Sequence, residues 1–162
     1  MVIKLDLADT YSIGVISDTH GHLPSGVPKI FKKVDLIIHA GDIGDKTVLD
    51  QLAQIAPVAA VRGNMDYGNW VNRLPQSEII EIGQLVLAVL HIASRLKHDP
   101  QKAGYNAIIS GHTHRPDVYQ KNGITFINPG SASYPKFGHP GSAALIHING
   151  DNLRVELIRL KD

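Results

Sequence analysis

Short runs of Val, Ile and Leu recur along the chain, each bounded by Gly, Pro, Asn or Asp. Apolar runs of this length and β-branched content read as strands. They predict strands at 11–16, 34–39, 58–61, 78–82, 85–90, 107–110, 125–128, 142–148 and 154–159. Two segments carry a different period. Over 28–33 the apolar residues Ile30, Phe31 and Val34 fall at helical spacing, and over 46–55 Val48, Leu49, Leu52 and Ile55 share one face. Gly83 separates two runs within 78–90, which predicts a hairpin. Asn122-Gly123 between 118–121 and 124–128 predicts a second, because both residues tolerate positive φ. The first half thus alternates strand and helix, and the second is mostly strand. The fold expected is α/β, with two packed mixed sheets and helices outside, as a single domain over 1–162.

Composition adds exclusions. The 162 residues are 43% apolar and 19% charged, with a net charge of +1, an ordinary globular balance. No global field draws the chain to nucleic acid or an anionic membrane, so neither is expected as a partner. The absence of cysteine excludes disulfides and thiolate metal sites and fits a reducing compartment. Residues 1–10 show no signal-peptide pattern, and the longest apolar stretch, 85–93, is interrupted by His91 and far below the ~20 residues of a membrane helix. The expected location is cytoplasmic. Self-association is left open.

The chemistry sits where strands end. Asp18-Thr19-His20 follows the first run, Gly41-Asp42 the second and Gly63-Asn64 the third; His91 ends the 85–90 run, and Gly111-His112-Thr113-His114 follows 107–110. In α/β sheets the loops at carboxyl ends of strands are the usual place for a site. Side chains two apart, as in Asp18/His20 and His112/His114, can converge on one centre from an extended loop. Two aspartates, four histidines and an asparagine offer oxygen and imidazole nitrogen without sulfur, which suits Mn, Fe, Zn, Co or Ni better than Ca or Mg. Seven ligands exceed one tetrahedral ion and suit a pair of divalent ions sharing one carboxylate. Two ions, two carboxylates and a bridging hydroxide leave a net charge of about +1, which favours an anionic ester. Elsewhere, His39 is expected to pack beside the site, and His98, His139 and His147 to be surface or structural. His22 is open between periphery and ligand support. Asp9, Asp35 and Asp45 read as caps or surface charges.

The ordered set Ser17-Asp18-Thr19-His20-Gly21, Gly41-Asp42, Gly63-Asn64, His91 and Gly111-His112-Thr113-His114 resembles the calcineurin-like metallophosphoesterase superfamily. The length, Gly63-Asn64-Met65-Asp66 and Asn128-Pro129-Gly130-Ser131 resemble its small prokaryotic YfcE-like phosphodiesterase branch. The resemblance spans roughly 12–158. It implies a β-sandwich with flanking helices and its site at one edge. It also implies one ion held by Asp18, His20 and His114, a second by Asn64, His91 and His112, and Asp42 between them. Mn is the metal expected first, and the expected substrate is a small phosphodiester opened by a metal-bridging hydroxide, with Asp42 and Asn64 in catalytic roles.

Two departures stand out. Many superfamily members carry a His directly after the motif Asn; here Met65 stands there and cannot donate a proton. Asp66 is the nearest replacement, as acid or as orienting group. After His91 the sequence runs Ile92-Ala93-Ser94-Arg95 with no glycine, and Pro100 and Gly104 interrupt the segment before His112, so a more open substrate wall is expected. The alternatives are a phosphomonoesterase, and a protein-binding scaffold of the same fold, as in the small subunit of the retromer coat.

Overall fold

A computed structural model describes residues 2–5 and 10–161. The strands are β1 (Val2–Leu5), β2 (Thr10–Ile16), β3 (Leu36–His39), β4 (Val58–Ala60), β5 (Ser77–Ile82), β6 (Leu85–Leu90), β7 (Ala107–Ile109), β8 (Pro116–Lys121), β9 (Ile124–Pro129), β10 (Ser142–Asn149) and β11 (Asn152–Arg159), with helices α1 (Val27–Phe31) and α2 (Lys46–Ala53). They form a six-stranded sheet in the order β1-β5-β6-β7-β9-β8 and a five-stranded sheet in the order β11-β10-β2-β3-β4. Both sheets are mixed, as expected. Strands β2, β3 and β4 run parallel, as do β6, β7 and β9. Each sheet therefore presents a group of carboxyl ends at one edge.

Burial follows position in the sheet. β3 is buried along its whole length, and β2 along its last four residues, because neighbouring strands and both faces cover them. The edge strand β11 alternates toward exposure. One apolar cluster joins the sheets, with Ile13, Val15 and Ile38 from one and Ile80, Leu87 and Ile109 from the other. A second cluster packs Phe31 of α1 and Val48 and Leu52 of α2 on the far side of the five-stranded sheet. Asp45 caps α2 by accepting from the Thr47 N–H at 2.8 Å, the cap expected of it. No helix among the described residues is long and apolar enough to cross a membrane.

Both predicted hairpins are present, with Asn122 at φ 53° and Gly123 at φ 77°. Three short elements carry no signal strong enough to read. Strand β1 pairs parallel with β5, although its four residues end at an acid. Two 3-10 turns, Asn69–Arg73 and Ala93–Arg95, are too short for a helical period. The segment after His91 forms no α-helix, as its Pro and Gly require. Asp9 lies outside the described residues.

Candidate metal centre

The carboxyl ends of β2, β3, β4, β6 and β7 meet at one edge, and each sends a loop into it. Asp18, His20 and His114 offer ligand atoms all within 4.8 Å of one another, and so do Asp42, His91 and His112. The two groups adjoin. Asp18 Oδ1 is 3.2 Å from His114 Nε2, 3.8 Å from His20 Nε2 and 3.9 Å from His91 Nε2. Asp42 Oδ2 is 3.2 Å from His91 Nε2 and 3.9 Å from His20 Nε2, so it faces both groups. Asn64 joins the second group, its Oδ1 3.1 Å from His112 Nδ1.

Local backbone explains why these side chains converge. Asp18, His20, Asp42, His112 and His114 all take positive φ, between 46° and 73°. That left-handed region is costly for residues with a Cβ. Here it turns the chain sharply enough that neighbours two apart aim at the same centre. Close approach is secured by glycine. A Cβ on Gly63 would collide with the backbone and carboxylate of Asp42, and one on Gly111 with Ser17 and the carboxylate of Asp18.

Hydrogen bonds fix which atoms face the centre. The His91 Nδ1–H donates to the Ala40 carbonyl at 2.7 Å, and the His114 Nδ1–H to the Tyr134 carbonyl. A carbonyl only accepts, so both rings turn an Nε2 lone pair inward. Asp18 Oδ2 accepts from the Ser17 hydroxyl at 2.6 Å and the His112 N–H at 3.0 Å, and Asp42 Oδ1 from the Met65 N–H at 2.8 Å. The remaining buried atoms, Asp18 Oδ1 and His91 Nε2, have no hydrogen-bond partner among the described residues. Orphaned buried acceptors are rare and costly. Carboxylate oxygens and imidazole lone pairs converging in this way fit divalent cations.

The charges agree with that arrangement. Burial alone would raise the Asp42 pKa, but the His91 ring and the Met65 N–H outweigh it and hold it below its ordinary value. Burial alone would lower the His91 pKa, but the Asp42 and Asp18 carboxylates raise it. His39 differs. Burial first, then the nearby His91, pushes its pKa down to about 3. It is therefore neutral, with Nδ1 accepting from the Gly41 N–H at 3.2 Å and Nε2–H donating to the Thr19 hydroxyl at 2.9 Å. Thr19 in turn donates to the Ile43 carbonyl at 2.9 Å. This chain ties the Asp18-Thr19-His20 loop to the Gly41-Asp42 loop, the neighbouring position expected of His39.

Asp66 does not stand as a free acid. Its two carboxylate oxygens accept from the Gly44 N–H at 2.9 Å and the Gly63 N–H at 2.8 Å, with the residue 1% exposed. Of the two roles expected for it, orientation is the one its contacts allow. Met65 is 51% exposed beside the centre. His22 is exposed; its N–H donates to the Thr19 carbonyl at 3.0 Å and its carbonyl accepts from the Ser133 hydroxyl, while its ring makes no hydrogen bond among the described residues. His147 lies on β10 opposite β11, 3.4 Å from Glu156.

Supports that carry no chemistry of their own were missed in sequence. Asn128 Nδ2 donates to the Gly111 carbonyl at 2.9 Å and the Thr113 hydroxyl at 3.0 Å. The Ser131 hydroxyl donates to the Asp18 carbonyl at 2.7 Å. The Asn128-Pro129-Gly130-Ser131 motif was visible; its task of clamping two ligand loops was not. Tyr134, which supplies the carbonyl to His114 and stands edge-on to His20 at 5.3 Å, had no signal at all.

Comparison with known proteins agrees with this architecture. Residues 11–151 match the model of the calcineurin-like phosphoesterase superfamily domain. The chain is 43% identical over 143 residues to a probable metallophosphoesterase of Methanocaldococcus jannaschii, covering 80% of this chain and 72% of that one. It is 29% identical over 171 residues to the phosphodiesterase YfcE of Escherichia coli, covering 90% of each. Among solved structures, Vacuolar Protein Sorting 29 from Cryptosporidium parvum superposes with a TM-score of 0.75 over 96% of this chain and 100% of that one. At 20% identity that likeness is one of fold.

Proposed function

The chain belongs to the calcineurin-like phosphoesterase superfamily, and so to the divalent-metal hydrolases of phosphoric esters; from that premise we propose that it is a two-metal phosphodiesterase acting on a small diester. The observation that carries the reading is the pair of adjoining ligand groups with Asp42 Oδ2 facing both. Asp18, His20 and His114 would hold one ion, and His91, His112 and Asn64 the other, with Asp42 between them. Mn suits this oxygen and imidazole set, as do Ni, Co, Zn and Fe.

Ions of this kind supply Lewis acidity toward phosphate oxygens and lower the pKa of a water they hold. The chain's own residues do the rest. The Ala40 and Tyr134 carbonyls lock His91 and His114 in the tautomer that points Nε2 inward. Ser17 and the His112 N–H hold one oxygen of Asp18, and the Met65 N–H one oxygen of Asp42, so the other oxygens stay aimed at the centre. Neither residue that follows Asn64 offers a proton. Met65 has none to give, and both Asp66 oxygens act as acceptors. The departing oxygen therefore leaves without general-acid help from these two positions, which favours diesters with good leaving groups.

Metal analysis of purified protein, followed by chelation and assay on bis-p-nitrophenyl phosphate and p-nitrophenyl phosphate, tests the reading. The expected result is about two ions per chain, loss of hydrolysis on chelation, recovery with Mn, and preference for the diester. Unchanged turnover after verified metal loss would overturn it. A scaffold of this fold would show no turnover with any ion; the intact ligand set argues for the enzyme.

A further inference from the structure

A groove of about 710 Å³ opens beside the second ligand group, with Asn64 and His91 forming part of its wall. Its floor is the outer face of the six-stranded sheet, where Ile79, Ala88 and Leu90 are apolar. Its far wall is the segment after His91, which contributes Leu96 and then Tyr105. The rim is cationic. Arg62, Arg95 and Lys97 line it together with His98, and no Asp or Glu does among the described residues.

The one-sided charge is notable in a chain whose net charge is only +1. Nothing nearby neutralises it: none of the three cations has a carboxylate within 4.0 Å among the described residues. Among the described residues the Arg62 guanidinium makes only a 3.4 Å contact with the Asp66 carbonyl. Arg95 and Lys97 are exposed, and Tyr105 is half-buried with its ring against the apolar floor. An apolar, partly aromatic floor under unpaired cations fits a ligand with a flat apolar body and more than one negative charge. The volume is that of a nucleotide-sized site.

We propose that this groove is a subsite for a nucleotide arm of the diester, with Arg95 and Lys97 meeting a second phosphate and Tyr105 and Leu96 lying against the base or sugar. The assignment rests on the phosphodiesterase reading for its place beside the ions. It also accords with the interrupted segment after His91: the short 3-10 turn Ala93–Arg95 leaves this face of the sheet open.

The test uses an adenylyl dinucleotide with and without a 5′-phosphate. Calorimetry on the metal-free protein reads binding, and the Mn-loaded protein reads kcat/KM. The phosphorylated probe is expected to bind at least tenfold tighter and to be preferred by a similar factor in kcat/KM. Arg95→Ala/Lys97→Ala, at exposed positions, should collapse both ratios toward one, and Tyr105→Ala should weaken both probes about tenfold, the usual size of a lost base–aromatic contact. Equal binding of the two probes to wild type, or a ratio that survives the double variant, overturns the subsite. If the probes bind as expected but the metal-loaded protein opens neither them nor bis-p-nitrophenyl phosphate, the phosphodiesterase reading fails and the subsite stands.

Discussion

The two ligand groups are built from the same residue types and differ in how they meet solvent. Asp18 and His114 are buried, and only His20 of the first group reaches the surface in part. In the second group Asp42 and His91 are buried, but His112 and Asn64 are exposed, and Asn64 lines the cationic groove. The first group is held by core elements: Ser17 and Ser131 on Asp18, and a carbonyl on His114. Half of the second is held mainly by its own partners. The lesson is a division of labour within one centre. The enclosed side suits tight retention of an ion, and the open side suits exchange of substrate and product.

The largest test aims at the residue both sides share. Asp42→Asn removes charge from both groups, so kcat/KM should fall by about 10³-fold or more and bound metal from two equivalents to one or fewer. Elemental analysis and steady-state kinetics on one preparation check this. Near-normal values for both would mean that the groups do not share Asp42.

The next test concerns His39, which ties a loop of one group to a loop of the other. Its ordinary pKa is 6.5, and its folded value is about 3. The unfolded chain therefore takes the proton first as pH falls. The stability His39 contributes is full above about 6.5 and is lost as pH drops toward 3, a change of about 5 kcal/mol in the metal-free protein. His91, with a raised pKa, works in the opposite sense: its contribution is present at low pH and lost as pH rises through the folded value. Subtracting the profile of His39→Gln from that of wild type isolates the His39 slope. Chemical denaturation of apo protein at several pH values reads it, and parallel profiles would show that His39 is not held neutral.

Met65 sharpens the open side. With no donor at positions 65 and 66, log kcat/KM should fall steeply as leaving-group pKa rises. Met65 is exposed enough to accept a larger polar ring, and Met65→His should speed poor leaving groups by ~10–100-fold while changing aryl esters little. A shallow slope in wild type, with chemistry rate-limiting, would point to a donor elsewhere. The smallest effect separates the two sides by stability alone. In metal-free protein, His114→Ala should cost about 2 kcal/mol, because it empties a buried site and strands the Tyr134 carbonyl. His112→Ala should stay within ~0.5 kcal/mol. Equal costs would erase the distinction between enclosed and open halves.

The same contrast governs what could be read from sequence. The candidate ligands announce themselves as a set: Asp-x-His alone is a weak signal and Gly-His-Thr-His a moderate one, but five such polar segments, each after an apolar run, make coincidence improbable. The central strands announce themselves because burial on both faces demands apolar residues such as the Leu and Ile of β3. What stayed hidden works through backbone atoms or through absence of pattern. The Tyr134 carbonyl could belong to any residue. Strand β1 exists because β5 offers it an edge, which its own four residues do not reveal. The cationic groove is assembled from Arg62 on one side and Arg95 and Lys97 on another, brought together by the packing of a segment without periodicity.

The five ligands at positive φ carry one more consequence. Each left-handed residue with a Cβ stores roughly 1–2 kcal/mol of strain, so the metal-free edge is loaded like a set of bent springs against the rigid sheets behind it. Ions that latch those loops would raise the melting temperature of the whole molecule while quieting amide exchange most sharply at 17–21, 40–43 and 111–114. For this protein, the cation would be a structural fastener as much as a reagent, and starving the protein of metal would loosen the edge before it disturbed the core.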